Sequence, residues 1–233
     1  LAVFVNHEIS SAAISRVDLN LANFQQAIAS TIDNGTTAFP STIVTGMGYA
    51  YETIFDGTFD GVTNPNPVAS GTVDVGTYGN TNFDRFCSGT SYSANSFGAN
   101  RGFSDEIYIT GEELSGGLFY ALDTATRTLW EVSEFGTGSW ENAALVDTGN
   151  TTHVAMVLNS DVGTGLGDFI RLFVGVKNAD ANLDGSIDFL ERNGLHGDIY
   201  FFEPDGTAST TDLPDGTVSG VWSTVKTNAL RET

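Results

Sequence analysis

The chain has 233 residues, enough for one all-β domain with a sizeable core or for two small domains. Its 29 acidic residues are an ordinary share for that length, but only 9 basic residues oppose them, so the formal charge is −20. A surface of that sign repels nucleic acid and anionic membranes and suits divalent cations, salty surroundings or simple solubility, and no apolar run is long enough to span a bilayer.

In chain order, residues 3–5, 13–19 and 41–44 alternate or are rich in β-branched side chains and are expected as strands. Residues 21–32 are the one stretch with helical promise, and they read equally well as a loop. Between 64 and 102 long apolar runs are absent, so NPNPVASGT and TSYSANSFGAN read as long loops, either functional or flexible surface. Strands are expected again at 106–110, 118–122, 128–132, 152–158, 169–176, 198–203 and 220–225. Three segments, AISRVDLN at 13–20, GLFYALDT at 117–124 and GDIYFFEPDG at 197–206, each run from small residues through a strand into an acidic turn. The second continues into 128–132 at a hairpin's distance. A strand, an Asp-containing turn and a returning strand at wide intervals point to an all-β fold: a β-propeller or part of one, in a single domain over 1–233. A β-sandwich is the alternative. The chain opens at Leu1 inside an apolar run and ends at Thr233 without a cap, so it reads as a piece of a longer protein.

The most specific motif is Asp180-Ala-Asn182-Leu-Asp184-Gly185-Ser186-Ile187-Asp188-Phe-Leu-Glu191. It places oxygen-bearing side chains at positions 1, 3, 5, 9 and 12 of a twelve-residue EF-hand calcium loop, with Gly at position 6. Ser186 would offer its carbonyl and Ile187 would tie the loop to a packed surface. The flank before it, DFIRLFVGV, is β-branched and aromatic, so an EF-hand-like calcium loop inserted between strands is expected. A millimolar-calcium compartment would keep such a loop filled, which favours a secreted, periplasmic or cell-surface protein.

Several carboxylates follow β-rich runs: Glu8, Glu112, Glu113 and Glu141. The single cysteine, Cys87, excludes an intrachain disulfide and is either a small buried hydrophobe or a thiolate ligand. Carboxylates suit hard calcium, whereas a thiolate calls for a softer transition metal. His7, His153 and His196 are scattered, His153 in an apolar strand where a hydrogen-bonded core histidine is expected. No G-x-S-x-G elbow, P-loop or HExxH helix is present, and GTGLG at 163–167 lacks nucleotide-binding spacing.

The order of short motifs is collinear: Asn6-His7-Glu8, Ser15–Leu19 (SRVDL), Cys87-Ser88-Gly89, Gly111-Glu112-Glu113, Trp140-Glu141 and the closing GDIYFFEPDG. This resembles the PhoX-type alkaline phosphatases, secreted bacterial β-propeller enzymes. The resemblance implies a calcium–iron cluster that binds a phosphate monoester and supplies the attacking oxygen. Carried over by position, Glu8, Cys87, Glu113 and Glu141 would be cluster ligands, with Cys87 on iron. Asp161 falls where the family has an acidic step after a strand. The sequence departs from the family between Cys87 and Glu113, where SYSANSFGANRGFSDEIYIT replaces a tryptophan-rich stretch. The family's later Arg- and Glu-bearing segment would lie beyond Thr233, and open blade edges would invite association with another chain. A non-catalytic calcium-binding extracellular propeller, serving adhesion, a matrix or a surface layer, is the competing expectation. No single catalytic nucleophile stands out.

Overall fold

A computed structural model of the chain describes residues 1–9, 12–34, 41–55, 67–70, 83–161, 170–204 and 219–225. Among these residues the protein is mostly β, with three sheets, none of them closed on itself. The N-terminal sheet has the order β1 (Ala2–Asn6), β2 (Ile14–Leu19), β3 (Val44–Tyr49). Helix α1 (Leu21–Asn34) joins β2 to β3 and starts at Asn20, whose side chain accepts the Asn23 amide at 3.1 Å as an N-cap.

The middle sheet has six strands: β4 (Thr53–Phe55), β5 (Pro67–Ser70), β6 (Phe86–Tyr92), β7 (Ile107–Glu112), β8 (Phe119–Asp123) and β9 (Thr128–Glu131). Strands β6 to β9 form an antiparallel meander, and β4 lies parallel to β9. The C-terminal sheet is a five-strand antiparallel meander of β10 (Trp140–Val146), β11 (His153–Ser160), β12 (Ile170–Val176), β13 (Gly197–Pro204) and β14 (Gly220–Val225). Helix α2 (Phe189–Asn193) stands between β12 and β13.

The side-chain period of two explains how the sheets stack. On β7, Ile107 and Ile109 join one buried cluster with Trp140, Phe135 and Phe173, while Tyr108 joins another with Ile14, Tyr51 and Phe86. On β8, Phe119 and Ala121 face the first cluster and Tyr120 and Leu122 the second. The middle sheet is therefore buried on both faces, between the N-terminal and the C-terminal sheets. Two glycines keep β12 and β13 close: a Cβ at Gly197 would meet the Val174 carbonyl oxygen at 2.1 Å, and one at Gly175 the Gly194 oxygen at 2.2 Å.

Most strands expected from the sequence are present within two residues, including the β8–β9 hairpin. Residues 41–43 differ: they form a 3-10 turn, because Ile43 is buried and its carbonyl accepts the Asn20 amide at 2.8 Å, so β3 begins only at Val44. The stretch 64–102 holds β5 and β6 rather than only loops, while 94–100 is turn. The glycine turn at 163–167, the end of GDIYFFEPDG and parts of NPNPVASGT lie outside the described residues.

Candidate metal centre

Five residues singled out in the sequence come together at one end of the strands. Glu8 follows β1, Cys87 is the second residue of β6, Glu113 follows β7, Glu141 is the second residue of β10, and Asp161 follows β11. The meander explains the convergence. The end of β7 pairs with the start of β6 (Glu112 with Phe86), and the end of β11 with the start of β10 (Ser160 with Trp140). One ligand atom each of Glu8, Cys87 and Glu113 lie within 4.8 Å of one another, and so do those of Glu113, Glu141 and Asp161. Glu113 belongs to both groups. All three sheets contribute.

Two local irregularities aim the central pair. Between Phe86 and Gly89 the β6 register shifts against β7, and between Trp140 and Asn142 the β10 register shifts against β11. Each shift inserts an extra residue, and a bulge of this kind re-aims a side chain out of the alternating pattern. Cys87 and Glu141 sit in the two bulges, with the Cys87 sulfur 3.9 Å from Glu141 Oε2. The neighbouring Ser88 hydroxyl donates to the Glu141 carbonyl and locks the bulges together. Opposite them, Gly111 leaves the room that Trp140 needs, since a Cβ there would stand 2.5 Å from the Trp140 Cβ.

Main-chain bonds fix the other ligands. Arg85 donates its N–H to Ile9 O at 3.0 Å and accepts the Glu113 N–H at 2.9 Å. Its φ of 46° is in the left-handed region that a residue with a Cβ rarely occupies, so this bridge between the neighbour of Glu8 and Glu113 is made at a local conformational cost. Asp161 is held by its N–H to Ser139 O at 2.7 Å.

The electrostatics follow from four carboxylates around one thiol. Burial, then the charges of Glu141, Glu113 and Glu8, push the Cys87 thiol up to about 11. The Glu141 carboxyl is raised by burial first and then by its hydrogen bond with Asp161 and the charges of Asp161 and Glu113. Among the described residues, Oε2 of Glu113 is enclosed without a hydrogen-bond partner. An orphaned carboxylate oxygen amid excess negative charge fits a bound cation. The donor sets differ: Glu8–Cys87–Glu113 offers sulfur and oxygen, and Glu113–Glu141–Asp161 offers oxygen alone. The first set suits a transition metal and the second a hard cation.

Histidines stand aside. His7 Nε2 is 2.7 Å from the Ser15 hydroxyl, His153 Nδ1 is 2.9 Å from the Thr152 hydroxyl, and His196 faces Glu134 at 3.7 Å. Glu112, next to Glu113, points away into the core, where its carboxylate accepts the Asp84 and Leu118 amides at 2.9 and 3.1 Å. Sequence reading missed the parts played by Ser88 and Arg85. No composition or spacing signal marks them, because one acts through a bulge and the other through its backbone.

The twelve-residue loop is entered from β12 and left through α2. Gly185, at φ 85°, makes the turn. Asp180 accepts the Asp184 and Gly185 amides at 3.1 and 3.0 Å, and Asp184 accepts the Ser186 amide and hydroxyl at 2.7 and 2.6 Å. Glu191 is fully buried and accepts the amides of Ala181, Asn182 and Asp188, the last as half of a capping box with Asp188. The loop's carboxylates are thus turned onto its own backbone. Among the described residues the tight three-ligand groups are the two above and do not include it. Ile187 is 40% exposed and does not tie the loop down; the buried Phe189 and Leu190, the first two residues of α2, do. Arg192 and Asn193 bond Asp105 at 2.7 and 2.8 Å, joining this segment to the connection before β7.

No family model, curated protein or solved structure matches this chain.

Proposed function

We propose that this protein is a metal-dependent phosphate-ester hydrolase of the PhoX-like type, working outside the cytoplasm, with its stacked sheets serving as blades of a propeller. The observation that carries the reading is the meeting of Glu8, Cys87, Glu113, Glu141 and Asp161, from three sheets, around a carboxylate oxygen without a partner. In this reading Cys87, with Glu8 and Glu113, holds iron, and Glu113, Glu141 and Asp161 hold calcium. Cations bound there supply charge neutralisation for a phosphoryl group and an activated oxygen nucleophile. The chain's own contribution is to orient those ligands: the bulges at Cys87 and Glu141 aim them, and Arg85 fixes the spacing of Glu8 to Glu113. A cationic centre also answers the charge problem, since a phosphate ester approaching a −20 protein needs a local positive site.

The loop 180–191 is read separately, as a calcium staple between the C-terminal and middle sheets. The contacts of Arg192 and Asn193 with Asp105 favour that role, and they also support a second reading: a non-catalytic calcium-binding extracellular protein. Hydrolysis of a generic phosphomonoester by the purified chain, with and without calcium, separates the two. Calcium-dependent turnover that disappears in Cys87→Ser is expected for the hydrolase. Calcium binding with no turnover in the intact chain supports the second reading instead.

A further inference from the structure

We infer that Asn6 is a positioning residue that sets Glu8 against Cys87, an inference that rests on the metal-cluster reading above. Asn6 is the last residue of β1, two positions before Glu8. Its Nδ2 donates to the Thr110 hydroxyl at 2.8 Å, and its Oδ1 accepts from the Tyr108 hydroxyl at 2.9 Å. Thr110 in turn donates to the Ser88 carbonyl at 2.8 Å, one residue past Cys87. A single hydrogen-bond chain thus starts two residues before one ligand and ends one residue after another, and it crosses from the N-terminal sheet to the middle sheet.

The chemistry of the chain specifies an amide. The Thr110 hydroxyl has one proton and spends it on Ser88, so towards Asn6 it can only accept. The Tyr108 hydroxyl donates, so its partner must accept. A side chain of this length that donates on one side and accepts on the other is Asn; Asp lacks the donor, and Leu lacks both groups. Tyr108 and Thr110 are 5% and 1% exposed, so an unmet group there would go without water as a substitute. The route also needs a gap in β6. A Cβ on Gly89 would stand 2.2 Å from the Tyr108 hydroxyl, so the phenol reaches Asn6 only because residue 89 has no side chain.

Among the described residues, the neighbours of Glu8 are also held by His7 N–H to Ala13 O at 2.8 Å, by Ile9 O from Arg85 N–H at 3.0 Å, and by His7 Nε2 at 2.7 Å from the Ser15 hydroxyl of β2. Asn6 is the side chain that adds a direct tie to β7. Its loss would leave Glu8 on a β1 end free to drift from Cys87, and supporting residues of this kind typically cost about 10–100-fold in metal affinity.

The test is Co²⁺ titration of the intact chain, followed by the thiolate-to-cobalt absorption band, for wild type, Asn6→Asp, Glu8→Gln and the double variant. Wild type is expected to give the band. Asn6→Asp should keep it, because Cys87 is untouched, but require about tenfold or more Co²⁺. The double variant should be no weaker than Glu8→Gln alone, because Asn6 acts through Glu8. Wild-type affinity in Asn6→Asp, or losses that multiply in the double variant, would overturn the role. Absence of the band in wild type would overturn the cluster itself and Asn6's role with it. Tyr108→Phe, which removes one of the two Asn6 bonds, should weaken Co²⁺ binding in the same direction; it answers the question even where Asn6→Asp fails to fold, and unchanged affinity there contradicts the inference.

Discussion

Glu113 carries more of the site than any other residue, since it is the carboxylate that both ligand groups share and the one with an enclosed, unpartnered oxygen. Its position follows from Gly111 and Glu112 before it: Gly111 admits Trp140, and Glu112 turns inward to the Asp84 and Leu118 amides, so the next side chain faces the cluster. Tyr108 shows how the surrounding core constrains the site. Burial pushes its phenol up to about 12, whereas in an unfolded chain it ionises near 10. A raised folded value means that its contribution to stability is complete below about pH 10 and is lost as pH climbs to about 12. Tyr108→Phe is therefore expected to be less stable at pH 8, by about 1 kcal/mol for the lost bond to Asn6. It should also lose stability less steeply between about pH 10 and 12. Urea unfolding at a series of alkaline pH values checks both parts, and parallel curves for the two proteins would contradict the burial argument.

Among elements, the loop between β12 and α2 is the clearest case of a segment whose oxygen-bearing pattern and whose anchoring lie in different residues. Its oxygens are arranged on its own amides, while Phe189 of α2 stacks on Trp130 with ring centroids 5.6 Å apart. Calcium that binds here adds its binding free energy to folding, about 2.7 kcal/mol at a hundredfold excess over Kd. For a chain of 233 residues that corresponds to a rise in Tm of roughly 5–10 °C. The same titration should change Trp130 emission through Phe189, and Asp184→Ala should remove both effects. A melting temperature unchanged by calcium or chelator in the wild type would show that the loop is only an acidic turn. This motif was legible in the sequence because its residues are contiguous and their spacing is the signal. The bulges were not. FCSGTSY of β6 and VTGMGY of β3 are rich in small residues and lack alternation, so neither reads as a strand, and a register shift belongs to a pair of strands rather than to one. Glu8, Glu113 and Glu141 could be picked out as carboxylates after β-rich runs, whereas Cys87 stood out as the single thiol and Asp161 only through the family resemblance. Their meeting depends on pairings, such as Phe86 with Glu112, that no single segment encodes.

At the scale of the molecule, three stacked sheets bring five acidic or thiol side chains to one end of a chain already carrying −20. Such a concentration of like charge opposes the folded state unless a cation offsets it. The Cys87 and Glu141 shifts come first from burial, and the neighbouring carboxylates add to them in the same direction. The buried faces of β7 and β8 account for the packing of the sheets, and the bulges, the left-handed Arg85 and the enclosed Glu113 oxygen are the features that the proposed metal centre would explain in addition. The direct test is elemental analysis of the purified chain beside Glu113→Gln, both dialysed free of loose metal. Iron and calcium are expected in the wild type. In Glu113→Gln the iron should be lost and the calcium reduced to what loop 180–191 retains. Calcium without iron in the wild type, or equal metal content in the two proteins, would contradict a shared metal centre at Glu113.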